Sequence, residues 1–152
     1  MDYVISDQVK EIIAKRGLKQ ADVEDVIKSG IDLKQTFNYK GTNRHLACKK
    51  INGVTVYADF ELESGILKKK AILKTAYSHR VSLNSVQQLG EASNWLYNGN
   101  PVHSATVELE YMTVKRSGPA LASADGKLMM VEEYLATKTL AAAEGLFEKK
   151  RA

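Results

Sequence analysis

Cysteine is almost missing from this chain of 152 residues, and the single one, Cys48, rules out an internal disulfide. A chain of this length buries a self-sufficient core without a disulfide or a structural metal. Proline occurs only at Pro101 and Pro119, and no low-complexity tract or long linker divides the sequence. A single domain over residues 1–152 is therefore expected. No apolar run approaches the roughly 20 residues that cross a bilayer as a helix. The opening Met1-Asp2-Tyr3-Val4 lacks the basic region and apolar run of a signal peptide. Cytoplasmic localisation and no membrane partner are the resulting expectations. Histidine is scarce as well: His45, His79 and His103 are too dispersed for a metal set, and neither HExxH nor CxxC occurs. GxGxxG and GxxxxGK[ST] loops are missing too, which speaks against the common nucleotide-binding folds. No metal and no cofactor are expected.

What the chain has is an uneven basic charge. Net charge is +4, but residues 34–80 alone hold 10 Lys+Arg against 3 Asp+Glu. Such a surface attracts polyanions, nucleic acid above all, and lysine also protects sheet edges from mispairing.

The hydrophobic pattern predicts a short strand at Tyr3-Val4-Ile5, then a helix from a Ser6 or Asp7 cap with Val9, Ile12 and Ile13 on one face, ended by Gly17. A second helix is predicted over about Gln20 to Ser29. An antiparallel meander follows. Asn52-Gly53 has the residues of a type I′ hairpin turn, and Ser64-Gly65 makes a second turn. Val54, Val56, Ala58, Phe60 and Leu62 alternate with polar neighbours, which implies one buried and one wet face. Leu46 and Cys48 are expected on the buried face of the first strand, and the third strand is expected from about Leu67 to Leu83. Beyond it the spacing predicts a helix with Val86, Leu89, Trp95 and Leu96, a strand over 102–114, an irregular loop bracketed by Ser117-Gly118-Pro119 and Ala124-Asp125-Gly126, and a long helix from Lys127 to Lys149. The expected class is α+β: two short helices packed on a meander, then a helix, a further strand and a long C-terminal helix.

Strand, two short helices and a three-stranded meander is the order of the RelE-like toxin superfamily. The run Lys15-Arg16-Gly17-Leu18-Lys19 through Val23 to Val26-Ile27 resembles a stretch in a small uncharacterised family related to BrnT-type toxins, as does Leu73-Lys74-Thr75-Ala76-Tyr77. The resemblance covers residues 3–83 only; residues 84–152 form an extension outside it. It implies an RNA partner and metal-independent cleavage assembled from basic and tyrosine side chains on the sheet. A histidine common in that family's first helix has no counterpart between Ser6 and Arg16, so its role is not carried over.

Cleavage of RNA without metal needs a base, an acid and cations around the phosphorus. The candidates are His79, Arg80, His45 and Tyr57 for catalysis, and Arg44, Lys49, Lys70, Lys74, Lys115 and Arg116 for nucleic-acid binding. Adjacent strand residues face opposite ways, so His79 and Arg80 share a ligand only at a bulge or strand end. Another class is open: Met129, Met130, Tyr134 and Leu135 make the final helix apolar on more than one stripe, which fits a non-catalytic assembly subunit with a protein partner or homo-oligomer.

Overall fold

The computed structural model describes residues 1–80, 82–111 and 113–130. The chain runs β1 (Asp2–Val4), α1 (Asp7–Lys15), α2 (Gln20–Asp32), β2 (Phe37–Tyr39), β3 (Arg44–Ile51), β4 (Val54–Ser64), β5 (Lys69–His79), β6 (Ser82–Tyr97), β7 (Asn100–Tyr111), β8 (Val114–Ser123) and β9 (Leu128–Met130). These strands form one sheet in the order β1-β5-β4-β3-β2-β6-β7-β8-β9. Only the β1–β5 pair is parallel, which makes the sheet mixed.

Local chemistry explains the first half. Ser6 caps α1 by accepting a bond from the Val9 amide at 3.2 Å. Gly17, at φ 73°, closes the helix as a Schellman motif: its amide reaches Ala14 O, and that of Leu18 reaches Ile13 O. Beyond the turn, α2 packs on β3 and β4. Asn52 and Gly53 sit at φ 52° and 80°, the left-handed pair a type I′ hairpin turn needs.

Both faces of the central strands are covered. On one, Val9, Ile13, Val23, Val26 and Ile27 of the helices pack on Ala47, Val56, Ala58, Phe60, Ala71, Leu73 and Ala76. On the other, Leu46, Tyr57 and Tyr77 join Phe37, Tyr97, Val102, Val107, Leu109, Ala120 and Met129. The sheet thus rolls so that its C-terminal strands roof the face the helices leave open. Burying a Phe60 or Ile27 side chain contributes roughly 1.5–3 kcal/mol, so two such clusters carry the fold.

The structure overturns the expected α+β class: among the described residues the chain is mainly β, with two helices. The helix expected to carry Val86, Leu89, Trp95 and Leu96 is β6, paired with β7. Register shifts at Leu83/Ser85, Gln88/Ala92 and Ala92/Leu96 explain the misreading, because each breaks the two-residue alternation and leaves Val86, Leu89 and Leu96 at spacings that imitate a helix. The third meander strand ends at His79 rather than Leu83. The irregular loop around Ser117-Gly118-Pro119 is β8, in which Pro119 sits opposite Thr106 of β7. The expected final helix is contradicted at its start, since Leu128–Met130 pairs with β8; its remainder, residues 131–152, lies outside the described residues. The wet face expected along β4 is also covered, so Val56–Phe60 is buried without a break. Cys48 shares Leu46's parity as expected, yet it is exposed, and Ala47 is buried under the helices instead.

Candidate functional site

Strand parity decides which of the named side chains can meet. His79 closes β5 and is 7% exposed, and Tyr57 is 2% exposed beside it. The Tyr57 hydroxyl lies 3.3 Å from His79 Nε2. Tyr57 stacks on Tyr77 with centroids 5.2 Å apart and planes 11° apart. Burial, then the neighbouring Lys50 charge, pushes the His79 pKa down to about 4, and burial holds the Tyr57 phenol well above its ordinary value. Both are neutral at physiological pH, and the imidazole tautomer sets which of the two donates the hydrogen bond. A histidine of this kind is a poor proton carrier near neutrality. The pair acts as a polar bolt in an aromatic core.

His45 lies on the opposite face. It pairs with Phe60 across β3–β4, stacks on that ring at 5.6 Å, and sets its Nδ1 3.0 Å from the Thr36 hydroxyl. Burial lowers its pKa. The sheet therefore stands between His45 and His79, and the expected catalytic group of His79, Arg80, His45 and Tyr57 is not assembled.

Three of the six expected phosphate-binding residues are engaged in ion pairs within the chain. Arg44 forks onto Asp59 at 2.8 and 3.2 Å and lies 5.0 Å over the Trp95 ring. Lys49 bonds Asp25 at 2.7 Å on the helix side, and Lys74 pairs with Glu61 at 3.2 Å. Lys70 is exposed and sits opposite Glu63, while Lys115 is exposed and sits opposite Glu110. Arg116 lies in β8 opposite Leu109. The interface expected from Met129, Met130, Tyr134 and Leu135 is corrected in part: Met129 is buried in the chain's own core, the Met130 backbone pairs with Ala120, and Tyr134 and Leu135 lie outside the described residues. No group of three or more metal-ligating side chains occurs among the described residues, and no helix among them is long and apolar enough to cross a membrane.

The remaining candidate cation opens on a cleft. Arg80, exposed just beyond β5, lines a cleft of about 380 Å³ with Arg16, Lys19, Asp22, Ser78 and the Asn52 turn. The Schellman turn at Gly17 positions two of these cations. Arg16 is anchored by bonds to Ala76 O at 2.8 Å and Thr75 Oγ1 at 3.2 Å, and Lys19 is the N-cap of α2. The cleft thus holds three cations against one carboxylate, beside the positive end of a 13-residue helix. Its size suits a phosphate and part of a nucleotide. Arg16 and Lys19 were visible in the sequence as the basic run Lys15-Arg16-Gly17-Leu18-Lys19, but nothing in their spacing links them to Arg80, some 60 residues on. No protein-family model, curated protein or solved structure matches the chain.

Proposed function

We propose that this chain is a nucleic-acid-associated protein that grips a phosphate backbone in the cleft between Arg16, Lys19 and Arg80, and that it binds without cleaving. The convergence of three cations on one open cleft carries the reading. The burial and neutrality of His79 and Tyr57 argue against ribonuclease chemistry on the sheet. The resemblance of residues 3–83 to RelE-like and BrnT-type toxins supports RNA as the nucleic acid.

Anisotropy of a labelled single-stranded RNA tests this. Neutralising two or three phosphates predicts a log–log salt slope of about −1.4 to −2.1. The pair Lys19→Glu and Arg80→Glu should weaken binding at least tenfold, and the RNA should stay intact with or without chelator. Salt-insensitive binding, or binding unchanged by the charge reversals, sinks the proposal.

A second reading, an assembly subunit, draws on β6. Among the described residues its stretch from Ser82 to Ala92 is paired on one side only, by β7, while Leu83, Val86 and Leu89 are exposed along it. An open strand edge carrying apolar side chains accepts a strand from a second copy. Light scattering should then show a dimer that Val86→Lys dissociates; a monomer at every concentration removes this reading.

A further inference from the structure

The opposite end of the sheet carries a different surface. β4 runs from Val54 at the basic cleft to Leu62 in a second cleft, about 26 Å away at 3.3 Å per residue. Just beyond Leu62, the β4–β5 hairpin tip holds Ile66 and Leu67, both essentially fully exposed. Large aliphatic side chains rarely stand free on a soluble surface as an adjacent pair.

The tip is a built feature. The Gly65 amide bonds Lys68 O at 3.0 Å, and a Cβ on Gly65 would collide with that same oxygen. Only glycine closes this turn, and its closure holds Ile66 and Leu67 at the apex. The three lysines that follow, Lys68, Lys69 and Lys70, surround the pair with positive charge. Asp2 offsets Lys68 at 3.1 Å, and Glu63 sits opposite Lys70.

Across from the tip, α2 ends in a second Schellman motif. Gln35 N bonds Gly30 O, Lys34 N bonds Ile31 O, and Lys34 takes the left-handed position at φ 56° usually given to glycine. That turn leaves Leu33 64% exposed. Lys34 and Lys69 line one cleft of about 320 Å³ with Thr36, Asn38, His45 and Asn98, and among the described residues no carboxylate lines it. Exposed aliphatics beside an acid-free cleft with two lysines match the layers of a bilayer surface, acyl chains below and phosphates above.

We propose that this end of the molecule is a contact for anionic membrane surfaces, in which Ile66, Leu67 and Leu33 enter the acyl–headgroup boundary while Lys34 and Lys69 take lipid phosphates in the cleft between them. The chain would lie on the bilayer without crossing it. A flat, wholly polar partner such as duplex RNA offers nothing to the aliphatic apex, which sets this end apart from the Arg16–Lys19–Arg80 cleft.

Sedimentation of the full chain with vesicles tests the proposal, using phosphatidylcholine alone and phosphatidylcholine mixed with phosphatidylserine. Binding is expected only to the mixed vesicles and should fall as salt rises. The pair Ile66→Ser and Leu67→Ser should weaken it about tenfold or more, because the apolar contribution is lost. The pair Lys34→Glu and Lys69→Glu should do the same, while Arg80→Glu at the far end leaves it unchanged. Circular dichroism of each variant, overlaid on the parent, reports that the fold is kept. Three results would overturn the proposal: no preference for phosphatidylserine, binding unaffected by the serine pair, or full displacement from vesicles by millimolar inorganic phosphate, which would mark a site for soluble anions.

Discussion

Acidification from neutrality to about pH 4 should cost the fold roughly 3 kcal/mol through His79 alone. In the unfolded chain this imidazole titrates at its ordinary value of 6.5; in the native core burial, then Lys50, brings it down to about 4. The unfolded state therefore takes up the proton first. Stability is intact above pH 6.5 and drains away as the pH falls toward the native value. The full shift of 2.5 units corresponds to about 3.4 kcal/mol at 1.36 kcal/mol per unit, and at pH 4 the half-protonated native state recovers about 0.4 of that. A loss near 3 kcal/mol is a large part of the 5–15 kcal/mol typical of a domain. Urea unfolding at several pH values, on the parent and on His79→Phe, isolates the effect. Phenylalanine fits the aromatic cluster and does not titrate, and the Tyr57 hydroxyl it orphans stays neutral throughout this range. Carboxylates and His45, whose lowered pKa acts in the same direction, are common to both proteins and cancel. The parent should lose about 3 kcal/mol more than the variant between neutrality and pH 4. Parallel pH profiles, or an imidazole proton resonance for His79 titrating near 6.5, would refute the reasoning.

Three further outcomes follow from the geometry. Arg44→Met should cost about 2 kcal/mol in urea unfolding, because it strands the Asp59 carboxylate, which is only 8% exposed; Arg44→Lys should recover less than half, since lysine neither forks nor stacks on Trp95, and a loss below about 0.5 kcal/mol would contradict this. Gly30→Ala sets helix propensity, worth about 1 kcal/mol in favour of alanine, against a new Cβ 2.8 Å from Ala47 Cβ and 3.1 Å from Thr36 Cγ2. Overpacking of about 1–3 kcal/mol should win and lower the melting temperature, whereas a rise would mean that α2 lifts freely off β3. Asn52→Val forces a β-branched residue to φ 52° and should destabilise by about 1–2 kcal/mol, while Asn52→Gly stays within a few tenths; equal stabilities would show that the hairpin turn is not under conformational control.

Several features could be read directly from residues because they depend on neighbours within a turn. The Ser6 cap, the Gly17 helix stop and the Asn52-Gly53 hairpin need only local φ/ψ preferences and short hydrogen bonds. The same logic was present again at Asn98-Gly99, where φ 50° and 81° join β6 to β7; its meaning was masked because β6 bulges three times and so lost the alternation that marks a strand. Local spacing alone also made Leu128 and Met129 look helical, whereas pairing with β8 and burial against the aromatic core favour an extended chain.

The site was less legible still. Sequence could name His79, Tyr57 and His45 as chemically apt, but only strand register shows that His45 faces the helices while the other two face the rolled C-terminal strands. Only the covering of that second face turns His79 from a proton carrier into a buried neutral ring. Charge tells a similar story: the lysine excess of residues 34–80 was plain, yet ion pairs to Asp25, Asp59 and Glu61, two of them across strands and one from a helix, engage three of the expected phosphate ligands. The free-standing cleft instead unites Arg16 and Lys19 with Arg80 through the packing of α1 on β5. Composition and turn chemistry determined that the chain would fold and where it would reverse; which charges and rings meet was decided by non-local pairing, because register and the curl of a sheet are properties of strands taken together.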